Sequence, residues 1–149
     1  MLDLDYIYLD ADLSSRKEIF CFIKEELFKR GFVKDMYAEA LEQREEQSPT
    51  GLATIPYGIA IPHTDPEYVI APCIVVIRLK QNVQFEQMGG AGETVGVRFI
   101  FGLAFSDGEK QIELLAGIIA LAQNQEDMKV LRYSNSKEKI LNTIKKYVT

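Results

Sequence analysis

Two long apolar stretches stand close together in the middle of the chain and constrain the fold most: Cys73-Ile74-Val75-Val76-Ile77, reaching to Leu79, and the segment from Val95 to Phe105. Both read as strands. Between them lie a short alternating piece, marked by Val83 and Phe85, and the loop Met88-Gly89-Gly90-Ala91-Gly92. The central strands are too closely spaced for every pair to be joined by a crossover helix, which predicts a mixed sheet with some antiparallel pairing. A third strand, Ile59-Ala60-Ile61, stops at Pro62, since proline cannot donate to a sheet ladder. A short strand around Tyr6-Ile7-Tyr8 stands near the N-terminus.

Helical spacing fills both flanks. Ser15-x-x-Glu18 forms a capping box ahead of Ile19, Ile23 and Leu27, and Gly31 supplies the stop. A second helix runs from about 35 to 46, with Val33 or Tyr37, then Ala40 and Leu41, on its apolar side. A third opens with Ser106-x-x-Glu109 and carries Gln111, Leu115, Ile118, Ile119 and Ala122 on one face. Two more cover 126–132 and 136–147, the last aligning Ile140, Ile144 and Tyr147. Strands in the middle with helices before and after predict an α/β sandwich on a mixed sheet. With 149 residues, 47% of them hydrophobic, residues 1–149 are expected to form a single domain.

Charge and cysteine content exclude several classes. A net charge of −5 argues against a nucleic-acid partner, which favours a basic face. No apolar run reaches the ~18 residues a membrane span requires, so direct membrane insertion is not expected. The acidic start Met1-Leu2-Asp3-Leu4-Asp5 lacks the basic region of a secretory signal. Cys21 and Cys73 are far apart without C-x-x-C spacing and read as reduced, mostly buried thiols of a cytoplasmic protein. Two cysteines and one histidine fall short of the four ligands of a structural zinc site, so no metal or other cofactor is expected.

The single histidine, His63, follows directly on a strand end and a proline, so rigid backbone aims its side chain. Histidine serves as nucleophile, base or ligand near neutral pH. Alone it says little; its company says more. Arg44 stands seven residues after Tyr37, on the same helix face at the last turn. Snorkelling, with the stem packed and the head in water, explains it; so does a place beside a site at the helix end. Gln111 is a polar residue on the first turn of an apolar stripe. A cation and an amide facing an imidazole suit phosphoryl transfer, because a neutral ring nitrogen attacks phosphorus without losing a proton first. Arginine and amide donors then stabilise the charge on the equatorial oxygens. Thr50 and Thr64 are candidate phosphoryl-binding hydroxyls, Thr64 equally a loop cap. Asp65 and Glu67 stand near His63 but read as solvated, as does the pair Glu45-Glu46. The glycine-rich loop 89–92 matches neither G-x-G-x-x-G nor a Walker loop.

Arg44-Glu45, Ser48-Pro49-Thr50-Gly51 and Gly58-Ile59-Ala60-Ile61-Pro62-His63-Thr64-Asp65 together resemble the IIA component of the sugar phosphotransferase system, in its fructose–mannitol–nitrogen superfamily (type-2 EIIA). The resemblance extends through Phe99-Ile100-Phe101-Gly102-Leu103-Ala104 and Gln111-Ile112-Glu113-Leu114-Leu115. It implies a mainly five-stranded mixed sheet flanked by helices in a three-layer α/β/α sandwich. It implies further that His63 is the phosphorylated residue and Arg44 the active-site arginine. Phospho-HPr would be the donor, a IIB cysteine the acceptor, and a membrane IIC component the associated transporter. Many members carry a second histidine where this chain has Gln111. Glutamine can donate to a phosphoryl oxygen but cannot shuttle a proton. Pro62-His63-Thr64-Asp65 with Gln111-x-Glu113 is most similar to the galactitol-type branch. A nitrogen-type regulator, acting by phosphorylation-dependent protein binding, is the alternative.

Overall fold

The computed structural model describes residues 2–148. Its sheet comprises β1 (Ile7–Ala11), β2 (Gly51–Leu52), β3 (Gly58–Ala60), β4 (Cys73–Glu86) and β5 (Thr94–Ala104). The helices are α1 (Arg16–Phe28), α2 (Tyr37–Gln47), α3 (Gly108–Ala122), α4 (Gln125–Tyr133) and α5 (Lys137–Lys145). The five strands lie in the order β1-β4-β5-β3-β2. β4 and β5 form an antiparallel hairpin. β1 joins β4 and β3 joins β5 in parallel, and β2 closes the far edge antiparallel to β3. The expected mixed five-stranded sheet is thus observed. The alternating piece at Val83 and Phe85 is no separate strand: β4 continues through it past an irregularity between Arg78 and Val83.

Side chains that alternate across the sheet split the core in two. Val75, Ile77, Leu79, Val97 and Ile100 pack with Ile19, Phe20 and Ile23 of α1 and Tyr37 and Leu41 of α2. Ile74, Val76, Phe99, Phe101 and Leu103 pack with Leu114, Ile118 and Leu121 of α3, Met128 and Leu131 of α4, and Ile140 and Ile144 of α5. The result is three layers, α/β/α.

The helix signals mostly hold. Ser15 caps α1 through the Glu18 N–H, and Glu18 reaches back to Ser14 rather than to Ser15. Gly31, at φ +75°, ends the helix with its N–H on the Phe28 carbonyl, while Phe32 N–H reaches Leu27. That left-handed conformation is the one glycine adopts without cost. The cap of α3 is Asp107, not Ser106: its carboxylate accepts from the N–H groups of Glu109 and Lys110. The α3 stripe is also shifted. Leu114, Ile118, Leu121 and Ala122 are buried, whereas Ile112 and Ile119 face solvent. Of the two cysteines only Cys73 is buried; Cys21 is exposed on α1.

Candidate functional site

β3 ends at Ala60, and the chain stays in register beyond it. His63 pairs with Leu103 of β5 as an isolated parallel bridge, and Leu103 N–H donates to the Pro62 carbonyl at 3.0 Å. Tyr37, wholly buried on α2, donates its hydroxyl to the Leu103 carbonyl at 3.3 Å. The histidine therefore rests on sheet backbone anchored from both sides.

Only 7% of His63 is exposed. Its Nδ1 lies 2.8 Å from the Ile61 carbonyl oxygen. A carbonyl can only accept, so Nδ1 carries the proton and Nε2 carries the lone pair. Arg44 Nη2 stands 3.4 Å from that Nε2. Burial holds the imidazole below the usual histidine pKa; the Ile61 hydrogen bond opposes the shift, the Arg44 cation adds to it, and Asp65 opposes it. The ring is thus a neutral base with one defined nucleophilic nitrogen, facing a guanidinium. A hollow of about 210 Å³ opens beside the Arg44 side chain, lined also by Ala40, Gln43, Gln47, Asp65 and Tyr68.

The other residues named from sequence fare differently. Glu45 is not solvated surface: it is 2% exposed, because Tyr37, Leu41 and Glu45 recur every four residues along the buried stripe of α2. That i, i+4, i+8 spacing is the sequence signal that marks it. Its carboxylate accepts from the Thr50 N–H at 2.7 Å and the Thr50 hydroxyl at 2.8 Å. Thr50 Oγ1 in turn accepts from Ile61 N–H at 3.2 Å. Thr50 therefore braces the backbone next to His63 with the hydroxyl that a phosphoryl contact would need. Thr64 is buried and donates to its neighbour's carbonyl, that of Asp65, at 2.9 Å. Gln111 is half-buried on the first turn of α3, its side-chain oxygen enclosed and without a hydrogen-bond partner. Asp65 and Glu67 are exposed. Burial pushes the Cys73 thiol up to about 12, which removes it as a thiolate nucleophile at neutral pH. None of the described helices is long and apolar enough to cross a membrane.

Comparison with known proteins bears on the family and the fold. The family described as "Phosphoenolpyruvate-dependent sugar phosphotransferase system, EIIA 2" matches residues 1–147. The galactitol-specific EIIA component of Escherichia coli K12 is 28% identical over 116 residues, 78% of this chain and 77% of that protein. The mannitol-specific enzyme IIA component of Bacillus subtilis is 27% identical over 144 residues, 95% of this chain and 94% of that one. Among solved structures, enzyme IIA-mannitol of E. coli, determined in complex with phosphorylated enzyme IIB-mannitol, superposes with a TM-score of 0.79. At 22% identity, over 98% of this chain and 99% of that one, it shares the fold. The family match over almost the whole chain, on the fold that resemblance implied, shows that the chain belongs to the type-2 EIIA family of sugar phosphotransferase components.

Proposed function

We propose that this phosphotransferase component takes a phosphoryl group onto Nε2 of His63 from phospho-HPr. It then hands the group to a cysteine of a IIB partner, for uptake of galactitol or a related sugar through a membrane IIC component. One observation carries the reading: Nδ1–H is tied to the Ile61 carbonyl, which leaves the lone pair of Nε2 facing Arg44. In the first step Nε2 attacks phosphorus, the N–P bond to the donor imidazole breaks, and that pair of electrons returns to the donor ring. No proton leaves His63, whose Nδ1–H stays on Ile61. Arg44 moves its donors from Nε2 to the equatorial phosphoryl oxygens, where negative charge accumulates. In the second step a thiolate attacks, an S–P bond forms, and the Nε2 lone pair is restored. The reaction occurs in the cytoplasm and needs no cofactor. The IIB acceptor is supported by the mannitol relative, which was solved with phosphorylated IIB. The sugar is supported by the galactitol-specific relatives. Gln111 and Thr64 are proposed as further donors to the phosphoryl group, through the side-chain amide and the hydroxyl.

Incubation with phosphoenolpyruvate, enzyme I and HPr should give an acid-labile, base-stable phosphate that His63→Ala abolishes. Labelling that survives in that variant would overturn the assignment. Addition of the galactitol-type IIB component should move the phosphate to its cysteine. Phosphate that stays on His63 and controls binding to a regulatory protein would instead assign the nitrogen-type role.

A further inference from the structure

Arg44 and Glu45 are neighbours on the last turn of α2, and their side chains diverge by about 100° around the helix. Arg44 reaches His63 Nε2, while Glu45 turns inward to Thr50. From there the contacts run without a gap: Glu45 carboxylate to Thr50 N–H and O–H, Thr50 Oγ1 to Ile61 N–H, Ile61 carbonyl to His63 Nδ1–H. The β2–β3 ladder pairs Gly51 with Ala60 and goes no further. Ile61 N–H lies just past it, and a side chain instead of a strand completes its bonding.

We propose that Glu45 is a positioning residue for phosphoryl transfer: by clamping Thr50 and through it Ile61, it fixes the His63 tautomer and the spacing between Arg44 and Nε2. This rests on His63 being the phosphoryl acceptor. The chemistry of the clamp requires a carboxylate. Thr50 presents two donors, N–H and O–H, and each oxygen of Glu45 accepts one. A glutamine offers one acceptor and one donor. The Thr50 hydroxyl would have to turn its proton away, and its grip on Ile61 would weaken. Arg16 of α1 faces the same helix end but pairs with Glu42 at 2.5 Å, and Glu46 lies 3.8 Å from it. The Thr50 donors are therefore the direct partners of the Glu45 carboxylate, opposing the burial that raises its pKa, while Arg16 acts on it only through its charge.

Glu45→Gln and Thr50→Val test the clamp, with Thr50→Ser as the variant that keeps the hydroxyl. Transfer from phospho-HPr should slow roughly 100-fold in Glu45→Gln and Thr50→Val, in kcat and not in KM, as small misplacements of reacting groups do. Thr50→Ser should recover most of the rate, and the double variant Glu45→Gln/Thr50→Val should be no slower than either single one. Nitrogen NMR of the single histidine reads the geometry without any transfer. Wild type should show Nδ1 protonated and Nε2 bare, and both slow variants a mixture of tautomers. An unchanged tautomer in folded Glu45→Gln, or an unchanged kcat, would overturn the clamp. Where Glu45→Gln does not fold, the Thr50→Val and Thr50→Ser pair decides by the same readouts. A wild-type chain that takes no phosphate would overturn the acceptor assignment and leave the tautomer result to judge the clamp on its own.

Discussion

His63 is held neutral mainly by burial, and that has a signature in pH. Its pKa in the folded chain lies below the 6.5 of an unfolded histidine. As pH falls through 6.5 the unfolded chain binds the proton first, so folding stability drops between 6.5 and the folded pKa and levels off below it. A proton NMR titration of the lone imidazole should give a midpoint under 6.5. Arg44→Ala should raise it only in part, since burial outweighs the Arg44 cation, and Asp65→Asn should lower it. A midpoint at or above 6.5 would contradict this account of the site. Arg44 matters far more to rate. Removal of a charged donor from a developing phosphoryl charge costs about 3–4 kcal/mol, a few hundred-fold in transfer rate. Arg44→Ala should show that loss in rapid-quench transfer assays with its unfolding midpoint nearly unchanged, because the residue is half-exposed. At this scale the sequence marks where His63 stands but not how it is held. Arg44 and His63 were legible from helix spacing and a strand end, and they meet. The Thr50 contacts are not legible there, because a threonine hydroxyl suits a ligand as well as a backbone, and Glu45 beside Glu46 has the look of surface until its i, i+4 spacing with Tyr37 and Leu41 is counted.

Elements were legible where spacing and caps agree, as in α1, and blurred where neighbouring polar residues compete for the cap, as at Ser106 and Asp107. A feature with no sequence signal is the end of α4. Arg78, only 2% exposed on β4, donates to the carbonyls of Leu131 at 3.1 Å and Ser134 at 2.6 Å, to the Asn135 side chain at 3.4 Å and to Asp10 at 3.1 Å. An arginine inside an apolar strand is thus the far wall of a helix terminus, and it satisfies carbonyls that α4 leaves unpaired. Long-range pairing of this kind, 53 residues apart for Leu131, cannot be read from local pattern. Arg78→Met removes the donors while the Leu131 carbonyl stays buried and that of Ser134 partly so. It should cost about 1–3 kcal/mol for each carbonyl left unpaired, read in urea denaturation, and raise amide exchange in α4 first. Asp10→Asn should cost about 1 kcal/mol or less, because the Asp10 side chain is 60% exposed and water replaces its charge. Equal losses in the two variants would show that the ion pair, not the helix end, is what Arg78 serves.

Across the whole molecule the two cores share one sheet, and His63 and Arg44 straddle the boundary between layers. His63 belongs to the sheet through Pro62 and Leu103, while Arg44 rides on α2 in the layer with α1. Phe101 faces the opposite layer, buried among Val76, Leu114 and Ile118. β4 and β5 contribute side chains to both cores, so neither core can lose its sheet wall without exposing the other. The chain should therefore unfold in one transition. Phe101→Ala, which opens a cavity at a wholly buried ring, should cost about 3–5 kcal/mol. The loss should appear as one lowered midpoint, the same by circular dichroism and by amide exchange in α1 and in α5. At 10 °C or more below that midpoint, by the two-state argument, transfer from phospho-HPr should run close to the wild-type rate, because Arg44 and Glu45 ride on α2 in the other layer and only Ile61 of the clamp shares the core of Phe101. Two separated transitions would show that the layers fold apart. A transfer rate that falls while the chain is fully folded would show that the far core sets the geometry of His63, through the strand that carries Leu103.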